Sequence, residues 1–422
     1  MADLSQPNPA ALISMMGDRA RAAARTIAGV PTEGKTRALV AVATALREAT
    51  APILAANHAD MERARAAGLS RAMLDRLKLD EARVAGMGAG VEAVARLSDP
   101  VGSVIDQATR PNGMVLSRAR IPIGVIGIIY ESRPNVTADA AALCVMAGNA
   151  AILRGGSEAV ESNRAIHRAL VAGLEEAGLP RDAVQLVPTT DRAAVGAMLT
   201  AEGVIDMIVP RGGKSLVARV QAEARVPVLS HLDGINHVFV HASADPAMAE
   251  KLVVNAKMRR TGICGAMETL LIDQAYPAAG ALIRALGESG CELRGDDRAR
   301  AIGPSLGAAT AEDWDTEYLE AIASVGIVDG LEGALRHIEE HSSGHTDAIV
   351  ATDQAVAERF LAAVDSAIVM WNASTQFADG GEFGLGAEIG IATGRLHARG
   401  PVALEGLTTY KWIVRGTGQV RP

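Results

Sequence analysis

The chain has 422 residues, of which 49% are hydrophobic and 21% charged, a composition that predicts a globular protein with more than one domain. Acidic residues outnumber basic ones by 49 to 41 and aromatic residues are only 3%, which argues against nucleic-acid binding. The 3 cysteines are too scattered for a disulfide framework or a paired metal motif. Residues 1–6 lack a basic segment followed by an apolar run, and the apolar stretch 121–130 is too short to cross a bilayer. We therefore expect a cytoplasmic protein without a membrane partner.

The predicted elements change character along the chain. Residues 9–98 are rich in Ala, Leu, Arg and Glu at helical spacing, which predicts a helical N-terminal part. Short branched runs then alternate with helical segments, and the predicted strands are 125–129, 151–153, 184–187, 207–209 and 238–240. A second such series follows Cys264, at 269–272, 325–328, 348–350 and 367–370. This alternation is typical of βαβ units and predicts two α/β domains with mostly parallel sheets.

The domain boundary is expected near Leu229. Residues 1–228 are predicted to form the first domain, joined by part of 351–376, and residues 229–350 the second. The segment 377–422 is glycine-rich and then basic, and we expect it to pack against another part of the structure or a neighbouring subunit.

Two predicted strands run into the same Arg-Gly-Gly tripeptide, each followed by a predicted helix. The two tripeptides are Arg154-Gly155-Gly156 and Arg211-Gly212-Gly213. Exposed backbone N–H groups and an arginine at the carboxyl edge of a parallel sheet suit phosphate contacts, although ordinary glycine turns would look the same. The Gly-Lys-Ser at 213–215 does not complete a Walker loop, because Ile208 occupies the position that requires glycine.

Cys264 is the strongest candidate for chemistry. It lies between two glycines, just beyond three cations: Gly262, Gly265, Lys257, Arg259 and Arg260. The cations would favour the nucleophilic thiolate, and the glycines would let a substrate approach the backbone closely. The alternative is a small buried hydrophobic side chain. We predict the nucleophile.

Two other motifs leave alternatives open or carry little weight. Asn135 follows a strong apolar strand and precedes a helix, so its side-chain N–H could contribute to an oxyanion hole or simply start the helix. His337 and His341 formally match an inverted zinc-protease motif, but the pattern favours an ordinary helix end. We expect no metal site.

The conspicuous blocks together resemble the γ-glutamyl phosphate reductase family, also called glutamate-5-semialdehyde dehydrogenases, within the aldehyde dehydrogenase superfamily. The most specific blocks are 121–137, 152–156, 255–272, 379–387 and 395–401, and the resemblance covers nearly the whole chain. It implies an aldehyde dehydrogenase-like α/β fold with two Rossmann-like parallel-sheet domains and a small oligomerisation element. Residues 1–228 would bind the cofactor, residues 229–350 would carry Cys264, and 377–422 would exchange strands together with about 110–121.

The resemblance also implies an activity. It is the NADPH-dependent reduction of L-glutamate 5-phosphate to L-glutamate 5-semialdehyde with release of phosphate, the second step of proline biosynthesis from glutamate. Cys264 matches the nucleophile that forms a thioester and then a thiohemiacetal, and Asn135 matches the oxyanion-stabilising asparagine. The implied NADPH/NADP⁺-binding residues are Arg154, Gly155, Gly156, Ser157, Arg211, Gly212, Gly213 and Glu317. An arginine at 154 and the absence of an acid at Ser157 favour NADP.

One departure from hydrolytic aldehyde dehydrogenases concerns His231. Those enzymes carry a general-base glutamate at the matching position, and its loss would help a thioester survive until hydride arrives. Whether His231 or Asp233 transfers a proton, and whether His231 holds phosphate or is a packed imidazole, stays open. The candidate substrate-binding residues are Arg133, Lys257, Arg259, Arg260, His231 and His345.

Two other functions remain as alternatives. A coenzyme A-acylating aldehyde dehydrogenase would share the cysteine and the missing glutamate, whereas a non-catalytic scaffold for glutamate kinase would need no reactive thiol. The expected partners are a small-molecule substrate and further copies of the chain, as a dimer or a higher oligomer. Glutamate kinase is a candidate partner, and nucleic acid is not.

Overall fold

The computed structural model describes residues 8–421, apart from the side chain of Ala72. The segment 1–6, which was used to argue against a targeting peptide, lies outside the described residues. The chain divides into two compact units. Among the described residues, the first comprises 8–230 together with Leu385–Gly390 and 402–421, and the second comprises His231–Gly384 and Ile391–Pro401.

The first unit opens with helices whose ends follow the local sequence. They are α1 (Pro9–Ala28), α2 (Thr32–Glu48), α3 (Thr50–Ala66), α4 (Arg71–Leu77) and α5 (Glu81–Ala95). The Asn8 side chain accepts from Ala10 N–H at the start of α1, where Pro9 lacks the N–H that would otherwise need a partner. Ser70 and Asp80 cap α4 and α5 in the same way. The predicted helical N-terminal part is confirmed.

A hairpin leads into the parallel sheet of this unit. Its strands are β1 (Val104–Thr109) and β2 (Val115–Pro122), and they are followed by β3 (Val125–Tyr130), β4 (Ala150–Gly155), β5 (Val184–Leu186) and β6 (Met207–Arg211). The last four form a parallel sheet in the order β5-β4-β3-β6. Every residue of β3 is buried, as expected for a strand covered on both faces.

Four helices connect or follow these strands: α6 (Val136–Met146), α7 (Val160–Glu176), α8 (Ala193–Leu199) and α9 (Lys214–Glu223). Helix α7 packs closely on α2, and the glycine at 173 allows this approach. A Cβ at Gly173 would lie 2.5 Å from the Val42 backbone nitrogen. Among the described residues no single helix is long and apolar enough to cross a membrane, and only the bent pair α2 and α3 meets that test jointly.

The second unit contains a larger sheet. Its strands are β7 (Asn236–Val240), β8 (Met267–Asp273), β9 (Glu292–Gly295), β10 (Gly307–Ala308), β11 (Ile322–Val328), β12 (Thr346–Val350) and β13 (Ile368–Trp371). These seven strands run parallel in the order β10-β9-β11-β8-β7-β12-β13. Two parallel α/β sheets therefore confirm the predicted fold class.

Helices cover both faces of the larger sheet. They are α10 (Pro246–Met258), α11 (Ala279–Glu288), α12 (Asp297–Ile302), α13 (Ala311–Trp314), α14 (Gly330–His341) and α15 (Gln354–Ala363). One apolar core holds Val253 of α10 and Leu286 of α11, and a separate one holds Ile338 of α14 and Phe360 of α15. Helix α10 begins where the Asp245 side chain accepts from Met248 N–H.

The predicted domain assignment needs one correction. Part of residues 351–376 was expected to join the first domain, but the whole of this range lies in the second unit. The reason is strand pairing, because β13 runs parallel beside β12 and shares its hydrogen bonds. The division between the units falls after Ser230, close to the predicted boundary at Leu229.

The C-terminal segment contributes to both units. It contains β14 (Gly390–Ala392), β15 (Gly400–Val402) and β16 (Thr408–Arg415), of which β14 and β15 pair with each other. Strand β16 pairs antiparallel with β2, which gives a three-stranded sheet in the order β1-β2-β16. On β16, Tyr410 is 46% exposed, Trp412 58% and Val414 56%. Exposed apolar side chains of this kind suit a contact between subunits. Oligomerisation through 377–422 together with about 110–121 stays a prediction.

Candidate active site

Cys264 lies at the amino edge of the larger sheet, where three neighbouring strands begin. It is half-buried, in the turn between the end of α10 and the start of β8. Strands β8, β7 and β12 lie side by side and run parallel, so the residues just before each of them meet at one edge. His231 precedes β7 and His345 directly precedes β12. Residues far apart in the sequence therefore surround the cysteine.

Asn236, the first residue of β7, holds the turn that carries Cys264. Its Nδ2 donates to the carbonyl oxygens of Cys264 at 2.6 Å and Ala266 at 2.8 Å, and its Oδ1 accepts from Thr346 N–H at 3.1 Å. The Asn236 side chain is completely buried, so its amide bonds to these protein groups instead of water. One amide thus fixes the Cys264 backbone to two strands.

Gly234 lets the chain pass close to the same turn. A Cβ at this position would lie 2.4 Å from the Cys264 carbonyl oxygen and 2.8 Å from Glu317 Oε1. No side chain fits there without moving one of the two. The structure therefore brings Glu317, a predicted cofactor-binding residue, close to the Cys264 turn.

Two imidazoles lie beside the thiol. One ligand atom from each of His231, Cys264 and His345 lies within 4.8 Å of the other two. The rings of His231 and His345 meet edge to face, with centroids 5.0 Å apart. His231 Nδ1 lies 2.7 Å from the carbonyl oxygen of Ile391, which can only accept, so Nδ1 carries the proton and Nε2 the lone pair of the neutral ring.

His345 is buried and electrically neutral. Burial, reinforced by the neighbouring His231, lowers the pKa of His345 to about 3. Its Nδ1 lies 2.8 Å from Thr346 Oγ1, whereas its Nε2 is buried without a hydrogen-bond partner. A buried ring nitrogen of this kind is an unused donor or acceptor at the site.

Asp347, two residues further on, is structural. Burial pushes the pKa of its carboxyl upward, but hydrogen bonds from His237, Ser366 and Ser342 hold it below its ordinary value. His237 donates to Asp347 Oδ1 through its backbone N–H, and the His237 ring nitrogen Nδ1 also lies 2.9 Å from this oxygen. These bonds tie β7 to β12 beneath the two imidazoles.

Lys257 does not present its charge to a ligand, which corrects the prediction that it binds substrate. Its side chain is fully buried, and Nζ lies 2.5 Å from Glu268 Oε2. Glu268 lies at a break in the register of β7 and β8, since Asn236 pairs with Met267 and His237 with Thr269. Such a bulge re-aims a side chain, here toward the lysine. Burial raises the pKa of Glu268 to about 7, although Lys257 opposes the rise.

The other two cations are exposed on the same turn. The side-chain amide of Gln376 organises this region, donating from Nε2 to the carbonyl oxygens of Ala256 at 2.8 Å and Arg260 at 3.2 Å. Arg259 Nη1 donates to Gln376 Oε1 at 3.4 Å. Arg259 and Arg260 therefore remain candidates for an anionic substrate group, at the end of α10.

Asn135 lies in the first unit, at the start of α6. Its Nδ2 donates to Asp139 Oδ2 at 2.8 Å, which fixes the orientation of the amide. Burial raises the pKa of Asp139 to about 6, opposed by this hydrogen bond and by Arg211. The Asn135 amide has two N–H donors, of which this bond uses one, and Arg133 is half-buried two residues earlier.

The first Arg-Gly-Gly turn follows β4. Arg154 is buried, donates from Nη2 to the Thr190 carbonyl oxygen at 2.9 Å, and has an Nε without a partner. Burial lowers the pKa of Arg154. Gly155 is explained by packing, because a Cβ there would lie 2.0 Å from Asn163 Nδ2. Ser157 is exposed beside it.

Two carboxylates of the protein occupy the neighbourhood of these turns. Glu158 Oε1 accepts from the Ser132 N–H at 2.5 Å, and a Cβ at Gly156 would lie 2.1 Å from the same oxygen. At the second turn, Gly213 N–H donates to Glu131 Oε2 at 3.4 Å. Gly212 is equally restricted, since its Cβ would lie 2.7 Å from Glu131 Oε2. The N–H group of Gly213, predicted to hold a phosphate, is directed at a side chain instead.

The two histidines of the formal zinc motif lie together on α14, with ring centroids 4.6 Å apart. His341 Nδ1 lies 2.9 Å from Asp315 Oδ1. Burial lowers the pKa of His337 to about 3. Within residues 8–421, the one group of three side chains with metal-compatible spacing is the Cys264 group, not this pair.

Sequence reasoning missed the residues that support the site. They are Asn236, Glu268, Glu131, Glu158 and Asp139. The sequence signal that could have identified Asn236 is a polar residue at the start of an apolar strand, as in Asn-His-Val-Phe-Val at 236–240. An amide buried there needs hydrogen-bond partners.

Comparisons with known proteins show the family of this chain. The model of the aldehyde dehydrogenase family matches residues 8–315, and the chain belongs to that family. Within it, the chain is 73% identical over 411 residues to a γ-glutamyl phosphate reductase of Novosphingobium aromaticivorans, covering 97% of each. It is 62% identical to one of Caulobacter vibrioides, covering 96% of this chain and 99% of that one. The resemblance read from the sequence is confirmed.

Solved structures give the same picture. The crystal structure of γ-glutamyl phosphate reductase from Thermotoga maritima superposes with a TM-score of 0.95 at 41% identity, covering 97% of this chain and 100% of that one. An acetylating aldehyde dehydrogenase from Geobacillus thermoglucosidasius reaches a TM-score of 0.70 at 18% identity over 98% of both chains. The second likeness shows the shared fold alone.

Proposed function

We propose that the protein reduces L-glutamate 5-phosphate to L-glutamate 5-semialdehyde and phosphate with NADPH, as the second step of proline biosynthesis. The observation that carries the proposal is the name shared by relatives 59–73% identical over almost the full chain, each a γ-glutamyl phosphate reductase. The site supports it with a half-buried cysteine flanked by two imidazoles.

The proposed first step is attack by Cys264 on the acyl phosphate. The sulfur bonds to the carbonyl carbon, the bond from that carbon to the phosphate oxygen breaks, and phosphate leaves with the electron pair. His231 is the proposed acceptor of the thiol proton, because its Nδ1 donates to Ile391 and its Nε2 is the basic nitrogen. Asn236 holds the Cys264 backbone while the side chain changes bonding.

The second step converts the thioester to the aldehyde. When bound, NADPH supplies the hydride that reduces the thioester carbonyl. Asn135 is the proposed donor to the oxygen that becomes negative, with Asp139 orienting its amide. Collapse of the thiohemiacetal then breaks the carbon–sulfur bond and returns the Cys264 thiolate. No glutamate stands at position 231 to activate water against the thioester.

In the first unit, Arg154 supports the proposed binding of the dinucleotide. Arg154 Nε is a buried donor without a partner at the carboxyl edge of the parallel sheet, where such cofactors bind. Arg154 and Ser157 would hold the adenosine end, and Glu317 the nicotinamide ribose. The carboxylates of Glu131 and Glu158 limit how much of the two glycine turns a phosphate can use.

The anionic ends of the substrate require cations. Arg259 and Arg260 are exposed beside Cys264, and Arg133 is half-buried in the first unit. We propose that Arg259 and Arg260 contact the phosphate or carboxylate, and that His345 contacts substrate through its buried Nε2.

The reverse reaction tests the function best, because the acyl phosphate is too unstable to add directly. The semialdehyde, phosphate and NADP⁺ should give NADPH in a strictly phosphate-dependent reaction. A reaction that requires coenzyme A instead of phosphate would contradict the proposal. Cys264→Ser should abolish turnover while NADP⁺ binding persists, and retained turnover would exclude the thioester.

A further inference from the structure

We propose that His231, Cys264 and His345 form a binding site for a thiophilic divalent cation such as Zn²⁺, which switches the thiol off reversibly. One potential ligand atom of each residue lies within 4.8 Å of the others. Thiolate sulfur and imidazole nitrogen are the ligands that zinc prefers, and three protein ligands with an open fourth position are a common zinc arrangement.

The imidazoles are prepared for coordination. His231 Nδ1 faces the Ile391 carbonyl oxygen at 2.7 Å, which assigns the lone pair to Nε2 and orients the ring as a backbone carbonyl does at many zinc sites. His345 Nε2 is buried without a hydrogen-bond partner, and Nδ1 is held by Thr346 Oγ1 at 2.8 Å. His345 therefore brings an unpartnered nitrogen of a fully buried ring to the group that contains the thiol, and coordination to a metal would satisfy that nitrogen.

The geometry needs only a small adjustment. Zinc bonds of about 2.3 Å to sulfur and about 2.0 Å to nitrogen place tetrahedral ligand atoms about 3.3–3.7 Å apart. The present limit of 4.8 Å therefore requires a closure of at most about 1.5 Å, to which rotation of the half-buried Cys264 side chain can contribute. His345 is held by its position at the start of β12.

The step balances without a redox partner. Zinc replaces the thiol proton, which is released to solvent, and sulfur donates its lone pair to the metal. Coordinated sulfur cannot attack a carbonyl carbon, so binding protects the thiol and stops turnover. The binding itself is independent of the reaction, whereas its inhibitory effect rests on the proposed role of Cys264.

The full-length protein tests this with zinc alone. After dialysis against micromolar zinc, the wild type should retain one equivalent, and the rate of Cys264 alkylation by iodoacetamide, followed by peptide mass, should fall at least tenfold and recover with chelator. His345→Gln and Cys264→Ala should weaken zinc binding by at least about tenfold. His231→Gln serves as the second ligand variant if His345→Gln misfolds. His341→Gln, which removes the other paired imidazole, should leave binding unchanged.

The outcomes separate this inference from the proposed reaction. Failure of the wild type to retain zinc, or retention that survives Cys264→Ala, would overturn the site and leave the reaction untouched. Zinc that binds and protects Cys264 while turnover continues would uphold the metal site and overturn the role of Cys264 in the reaction. A cobalt-loaded sample should show thiolate-to-metal absorbance that disappears in Cys264→Ala, and its absence would also count against the site.

Discussion

Exchanging one buried amide nitrogen for oxygen should loosen the Cys264 turn without changing its shape. In Asn236→Asp the oxygen that accepts from Thr346 N–H is kept. The other oxygen replaces the Nδ2 that lies 2.6 Å from the Cys264 carbonyl oxygen and 2.8 Å from that of Ala266. Two attractive contacts thus become repulsive ones.

The magnitude follows from the groups left behind. Each of the two carbonyl oxygens loses the donor of this buried amide, which costs about 2 kcal/mol per lost donor. A loss of about 4 kcal/mol in unfolding free energy is expected near pH 8. Protonation of the new carboxyl in acid restores one donor, so about half of the loss should disappear near pH 5. Asn236→Ala should show no such recovery.

Thermal unfolding and alkylation of Cys264 measure the effect. The thermal midpoint should fall, and the alkylation rate should change, more at pH 8 than at pH 5. Asn149→Asp is the matched control, because the Asn149 amide likewise donates to a buried carbonyl oxygen, that of Leu407, but lies in the first unit. It should lower the midpoint without altering alkylation. Equal midpoints for wild type and Asn236→Asp at both pH values would refute the reasoning.

Three further changes test other parts of the structure. Gly234→Ala should lower turnover by at least tenfold in the reverse assay, because its Cβ would displace the Cys264 carbonyl or Glu317; unchanged kcat would contradict the close approach. Glu268→Gln leaves the buried Lys257 ammonium without a counter-charge and should lower unfolding stability by about 3–5 kcal/mol, measured by denaturant melts against the exposed control Glu292→Gln. Asp139 has a pKa raised to about 6, so the native state binds the extra proton and stability falls as pH rises from about 4 to 6. Asp139→Asn should remove this pH-dependent fall, which amounts to at most about 3 kcal/mol of unfolding free energy. An unchanged pH dependence of unfolding stability would show that the carboxyl titrates normally.

The fold was predictable wherever strands are buried on both faces. Strands β3, β8 and β12 have every residue buried and each contains a short apolar run, and the alternation of such runs with helices predicts the parallel sheets. Strands such as β1, which is exposed along its whole length, and the two-residue β10 were missed, because neither carries an apolar pattern. Strand β13 was found but assigned to the wrong unit, since pairing partners do not appear in a local pattern.

The site was only half predictable for a related reason. The sequence around Cys264 indicates a reactive thiol, yet its neighbours come from positions 231–236 and 345, which only the strand order brings together. The roles of charged residues were harder to predict from the sequence. Lys257 looks like an anion-binding residue in the sequence, and only the β-bulge that turns Glu268 toward it shows that the charge is already balanced.

The pairing of Lys257 with Glu268 changes how Cys264 must be activated. With Lys257 paired to Glu268 and His345 held neutral by a pKa of about 3, no full positive charge from either residue supports a permanent thiolate. Under the proposed reaction none is required, because phosphate is a good leaving group and the thiol proton can pass to His231 during attack. The paired lysine and the neutral His345 therefore suit a nucleophile that reacts with an activated acyl group.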